Sequence, residues 1–327
     1  MPASILIVTN GALCRNPRAL KEASTLAEAG HAVTVLTVRN HASSEDTDRV
    51  IMQSAPFRRV TVDMLPGYGG NGLRVTCRRL RLRLARDLAV RTGWTGIHAL
   101  GPATALLNAA RRQRADLTIV HNEVPHWAGT RLLAEGRRVA ADIEDWHSED
   151  LLPQDRRGRP LRLLRHIERQ LLQDAVHTTT TSEALSTALH ERYGGRQPQV
   201  ITNSFPLQPD PRAGEPGSPP AFFWFSQTLG PGRGLENFLA AWARTTQPSR
   251  LVLVGESQAH YRAKLLAALP AAFSARVSVL PLVAPAALPA LIAQHDIGLA
   301  LELAAIPNRD LTITNKILQY LNAGLTV

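Results

Sequence analysis

The chain has 327 residues, 44% of them apolar, and 37 basic against 27 acidic side chains leave a formal net charge of +10. That is an ordinary globular composition, long enough for two cores. Cys14 and Cys77 stand far apart and outside any CxxC spacing, which excludes a disulfide framework or a cysteine zinc site and fits a reducing cytoplasm.

Taken in chain order, SILIVTN at 4–10 reads as a buried strand, PRALKEASTLAEAG at 17–30 as a helix closed by Gly30, and HAVTVLTV as a second strand. Strand, helix, strand in this order predicts a right-handed parallel crossover. The amino-terminal apolar run lacks the basic lead of a signal peptide, and no run is long enough to span a membrane. The segment 74–91 predicts a helix with Leu73, Cys77, Leu80, Leu84 and Leu88 in one stripe and Arg78, Arg79, Arg81, Arg83 and Arg86 on its flanks. Two readings stand here: a stripe packed on a sheet with arginines in water, or a basic amphipathic helix lying on an anionic membrane. Glycine-rich PGYGGNG just before it reads as a mobile gating loop. Further strands are expected at DLTIV (116–120), VAADIED (139–145) and HTTTTS (177–182), the last followed by Ser182 as a helix N-cap.

Residues 206–220 hold six prolines and two glycines and read as a domain linker, because they continue neither helix nor strand. The pattern then restarts with AFFWFS, a helix from about 234, RLVLVG, RVSVLPLV, a helix near 286–294, DIGLALEL and a helix near 312–323. The fold class is therefore α/β, two tandem Rossmann-like domains with doubly wound parallel sheets: 1–205, linker 206–220, and 221–327, the last expected to be truncated at LNAGLTV.

Within the second half, an apolar strand runs through Gly230, Gly232 and Gly234, around Arg233, into a helix. Such a loop presents backbone N–H groups and the positive helix end to an anion, and a guanidinium adds a fork for phosphate oxygens. The bland alternative is a tight turn with a solvated arginine. Asn315 and Lys316 open the helix of NKILQYLNAGLTV at the carboxyl side of a parallel strand, where open sheets bind ligands.

These motifs, together with NPRALKEASTLAEAGHAVTVL, DLTIVHNE, DIEDWHSEDLLP, VITNSFP and SQTLGPGRGLE, resemble the retaining glycosyltransferases of family four, which have the two-domain GT-B fold. The resemblance implies a nucleotide-diphospho-sugar on the second domain, an acceptor on the first, retained configuration and no essential metal or other cofactor. Arg233 and Lys316 then supply positive charge to the leaving diphosphate, and His121 matches a histidine near the transferred sugar that is linked to catalysis, so these three are the implied catalytic residues. Gly11, Ser226, Gln227, Gly232, Gly234, Gly255, Glu256, Val283, Asn315 and Gln319 fall at donor-contact positions, and Asn122, Glu123, Asp145 and His147 on the acceptor side. The sequence departs from the family where Gln227 replaces an arginine, and where Leu311 and Gln319 replace paired glutamates; a catalytically silent sugar-nucleotide-binding subunit is the alternative. The implied donor is a UDP- or GDP-sugar, and the implied acceptor a glycan, a lipid-linked compound or a natural product. The expected location is cytoplasmic, with peripheral membrane contact through 73–91. Nucleic acid is set aside as a partner, since aromatics make up only 5% of the chain and do not interleave with the basic residues.

Overall fold

The computed structural model describes every residue except 69–71, 209–218 and 303. The chain divides into two compact units, Met1–Ile201 and Thr202–Val327. Most of the proposed linker, and the centre of the expected gating loop at 69–71, lie outside the described residues.

Unit one runs β1 (Ser4–Val8), α1 (Pro17–Glu28), β2 (Ala32–Arg39), α2 (Ala42–Ile51), β3 (Arg58–Asp63), α3 (Gly72–Thr92), α4 (Ala103–Arg112), β4 (Leu117–His121), α5 (Glu123–Ala134), β5 (Val139–Ile143), α6 (Leu161–Asp174), β6 (His177–Thr180), α7 (Glu183–Tyr193) and β7 (Gln199–Val200). Among the described residues its strands form one parallel sheet in the order β3-β2-β1-β4-β5-β6-β7. Alternation along the strands splits the core into two layers. Leu6, Val8, Leu36 and Val120 pack on one face with Leu106, Leu132 and Ile167, while Ile5, Ile7, Val33, Val35 and Ile119 pack on the other with Ala19 and Ala23. Ser182 caps α7 by accepting from the Leu185 N–H at 3.1 Å. Strand β3 is absent from the sequence expectation because it is a half-exposed edge, RRVTVD, with no continuous apolar run.

Helix α3 corrects the packed-stripe reading. It buries Val75, Leu82 and Ala89, spaced seven apart, and turns Leu73, Leu80, Leu84 and Leu88 outward, with Leu73 73% and Leu84 59% exposed. Cys77 is exposed with them. Among the described residues no helix is long and apolar enough to cross a membrane.

Unit two runs β8 (Ala221–Leu229), α8 (Leu235–Trp242), β9 (Arg250–Ser257), α9 (Ala259–Ala267), α10 (Ala271–Ser274), β10 (Val277–Leu280), α11 (Leu288–Ile292), β11 (Ile297–Gly298), α12 (Pro307–Leu311) and α13 (Asn315–Asn322). Its described strands pair in parallel in the order β10-β9-β8-β11. Among the described residues, DIGLALEL, expected as a strand, yields only the two residues of β11, and Ile297 also bridges Thr326. Trp224, Leu251 and Leu253 face Leu235, Leu239 and Trp242 on one side; Phe223 and Val254 face Ile292 and Tyr320 on the other.

Candidate functional site

Each sheet has one place where the strand order reverses, and parallel sheets open a crevice at the carboxyl ends of the strands there. In unit two that place lies between β8 and β11, the strands that precede the glycine loop and the Glu302 segment. Gly232 and Gly234 both have φ of 75°, a left-handed backbone that glycine adopts without strain, and Gly234 is the N-cap of α8. A Cβ on Gly234 would lie 3.0 Å from the Leu301 Cβ, so glycine also allows the loop to close on the β11 side. Arg309 Nη1 donates to the Gly232 carbonyl at 2.9 Å and lies 3.8 Å from Glu302. Lys316 Nζ donates to Glu302 Oε1 at 2.8 Å. Burial of the Lys316 ammonium lowers its pKa, with Arg233 and Arg309 pushing the same way and Glu302 opposing.

Gly232, Arg233, Gly234, Asn315 and Lys316 are thus brought into one neighbourhood, with Arg309 and Glu302 as additions that sequence reasoning missed. Glu302 lies in an apolar run that reads as strand, and nothing in its spacing marks it. It also qualifies Lys316, whose charge already has a half-buried carboxylate partner. Glu302 Oε2, Thr314 Oγ1 and Asn315 Oδ1 are buried and make no hydrogen bond, an uncommon state for buried polar atoms. Gln227 lies inside β8, at the register shift between Phe225 and Thr228. Ser226 shares that shift, and Gly255 faces it from β9, where a Cβ would lie 2.7 Å from the Ser226 carbonyl oxygen; close strand approach accounts for this glycine. Glu256 is exposed in β9, Val283 follows β10, Leu311 ends α12 and Gln319 is half-buried in α13. No described side-chain hydrogen bond joins Gln227, Glu256, Val283 or Gln319 to the Arg233 neighbourhood.

In unit one the reversal lies between β1 and β4. Asn122, directly after β4, has φ of 68°, the described non-glycine residue with positive φ, a conformation that costs about 1–3 kcal/mol. Its Oδ1 accepts from Thr9 Oγ1 at 2.9 Å and from Asn16 Nδ2 at 3.3 Å, tying the loop after β1 to the start of α5. Gly11, in that loop, has nothing within 4 Å of where a Cβ would be.

His121 is 1% exposed. Its Nε2 is 2.7 Å from Glu22 Oε2, and its Nδ1 is 3.1 Å from Asp142 Oδ2. Burial alone pushes the ring towards neutrality, but the carboxylates of Asp142 and Glu22 outweigh it and raise its pKa to about 10. Asp142 also receives Arg18, Nε at 2.5 Å and Nη2 at 2.8 Å, and Thr179 Oγ1 at 2.6 Å. Its burial would raise its pKa, yet His121 and Arg18 hold it well below the usual carboxylate range. His126, whose Nε2 lies 2.9 Å from the Asp142 carbonyl oxygen, is pushed down to about 3 by burial and by His147.

Glu123 opens α5 and pairs with Arg159; His147 Nδ1 is 3.9 Å from the same Glu123 oxygen, while its Nε2 is buried without a partner. Asp145 is half-buried in the preceding loop. The Arg18–Asp142–His121–Glu22 chain was not read from the sequence, because its members are separated by up to 124 residues. Among the described residues no group of three or more His, Cys, Asp or Glu side chains is placed to hold a metal ion.

Two nucleotide-type α/β units, each with polar residues gathered at its switch point, define the GT-B class of glycosyltransferases. The family model of the glycosyl transferase 4-like domain matches residues 16–205, so this chain belongs to that family and is a glycosyltransferase. No curated protein sequence matches it. Among solved structures it is similar to sucrose-phosphate synthase from Thermosynechococcus elongatus, at 14% identity over 98% of this chain and 79% of that one, with a TM-score of 0.64. It is likewise similar to Anabaena Alr3699/HepE in complex with UDP-glucose, at 16% identity over 99% of this chain and 79% of that one, with a TM-score of 0.64. The lipopolysaccharide outer core galactosyltransferase WaaB aligns at 11% identity over 98% and 79% of the two chains, with a TM-score of 0.58.

Proposed function

We propose that this enzyme transfers a hexosyl group, with retention and without a metal, from a UDP-sugar to an acceptor hydroxyl. Unit two binds the donor and unit one the acceptor. The carrying observation is the β8/β11 neighbourhood: the bare N-termini of α8 and α13 beside Arg233, Arg309 and Lys316, with unsatisfied acceptors at Asn315 and Thr314. Diphosphate oxygens need donors and ribose hydroxyls need acceptors, and both are supplied there. The bound UDP-glucose of the Anabaena protein supports uridine as the base.

As the anomeric C–O bond breaks, negative charge grows on the leaving diphosphate, and fixed guanidinium and amide dipoles favour that state over the ground state. The acceptor oxygen bonds to the anomeric carbon and its proton ends on the departing diphosphate. His121, charged and enclosed by two carboxylates, serves to position the acceptor side. Asn122, Glu123, Asp145 and His147 are proposed to line it, and Gly11 to face the donor phosphates. Contact with an anionic membrane through 73–91 completes the reading, supported by the leucines that α3 turns outward between arginines.

Purified protein given a panel of UDP- and GDP-sugars should release nucleotide diphosphate in a sugar-specific way. Binding of UDP without turnover on any acceptor would favour the silent subunit instead. Flotation with vesicles should recover the protein more fully when anionic lipid is included; equal recovery dismisses the membrane contact.

A further inference from the structure

Helix α3 borders a cleft of about 680 Å³ at the carboxyl ends of β1, β2 and β3. Asn10, Asn40 and His41 reach it from the loops after β1 and β2; Arg79, Arg83 and Arg86 reach it from successive turns of α3. Asp87 is the one acid in this lining, so three guanidiniums against one carboxylate leave two positive charges. Arg86 is steadied by donating from Nε to the Ala99 carbonyl at 3.0 Å. Arg79 and Arg83 make no ion pair or hydrogen bond among the described residues. Four residues apart on a helix, they stand about 5–6 Å apart at Cβ, close enough for two forks to converge on one tetrahedral anion.

We infer that Arg79 and Arg83 form a phosphate subsite and that the acceptor carries a phosphate group. Two uncompensated charges suit a dianionic phosphate monoester better than a single carboxylate, and the polar side chains of Asn10, Asn40 and His41 can bind the hydroxyl-bearing part beside it. The inference rests on the reading of unit one as the acceptor unit. The phosphate can belong to a soluble compound or to a lipid, and the test separates the two.

With UDP saturating the donor side, the full chain is titrated with glycerol 3-phosphate, and separately with phosphatidylcholine vesicles containing either phosphatidic acid or an equal fraction of phosphatidylglycerol. In wild type, either glycerol 3-phosphate binds or phosphatidic acid is preferred over phosphatidylglycerol. The double variant Arg79→Ala/Arg83→Ala weakens that binding roughly tenfold or more, R79K/R83K retains most of it, and UDP affinity is unchanged in both. The proposal is overturned if wild type shows neither interaction, or if the alanine pair alters both by less than about twofold. Failure of wild type to bind UDP would count against the donor reading alone, because the phosphate arms are scored independently.

Discussion

Arg233 illustrates how a single side chain can be tested apart from the fold. It is half-buried in a loop whose backbone is shaped by its glycine neighbours, so Arg233→Ala should leave the melting temperature within a degree or two. A lost charge-assisted contact of about 1.5–3 kcal/mol should weaken UDP binding roughly ten- to a hundredfold. Calorimetric titration of the variant reads this directly, and unchanged affinity would remove Arg233 from the site. Asn315 offers the converse case. Its buried Oδ1 has no partner, so Asn315→Ala should cost little or no stability while still weakening UDP binding; a loss of stability without a loss of affinity would make it structural.

The paired histidines give a signed pH dependence. His121, raised to about 10 from an ordinary 6.5, contributes stability that is complete below pH 6.5 and lost as pH rises towards 10. His126, held down to about 3, stays neutral in the fold while the unfolded chain protonates, so stability falls as pH drops from 6.5. Each group can impose a slope of up to about 1.4 kcal/mol per pH unit. Hydrogen-exchange protection of the β4 and β5 amides, corrected for intrinsic rates, should therefore peak near neutrality. His121→Asn should flatten the alkaline limb, whatever it does to the absolute value; an undiminished alkaline slope would refute the charged ring. The glycine loop with Arg233 was legible in the sequence because its members adjoin one another. Glu302, Arg309, Arg18 and Asp142 were not, since only folding brings them to their partners.

At the scale of elements, legibility followed burial. Strands β1, β2, β4, β5 and β6 are covered on both faces and announce themselves as apolar or β-branched runs. β3 sits at the sheet edge and alternates polar with apolar, which hides it from a search for runs. Helix α3 misleads in the opposite sense: its most apolar stripe faces outward, and three residues seven apart make the buried seam. Close approach is the other quantity that sequence conceals. Gly298 in β11 packs against Tyr320 of α13 so tightly that a Cβ would lie 2.2 Å from the ring. Gly298→Ala should destabilise unit two by about 1–3 kcal/mol, or more if α13 is displaced, as measured by urea denaturation. Because α13 carries Asn315 and Lys316, UDP affinity should fall with it; a variant as stable as wild type would show that the helix can shift freely.

For the whole molecule, the alternation of strand and helix, twice over, was sufficient to specify a tandem α/β architecture, since short crossovers admit few other topologies. What the alternation could not specify was the chemistry at each switch point. That depends on which loops follow which strands and on the charges they gather. Most of the proposed chemistry depends on the glycine loop and Arg233 of unit two holding the diphosphate of a sugar nucleotide. A crystal structure of the protein with UDP-glucose tests this most directly. Diphosphate density is expected against the backbone amides around Gly232–Leu235 and within reach of the Arg233 guanidinium, with the ribose near Thr314 and Asn315. Nucleotide bound elsewhere on the chain, with that loop empty, would contradict it.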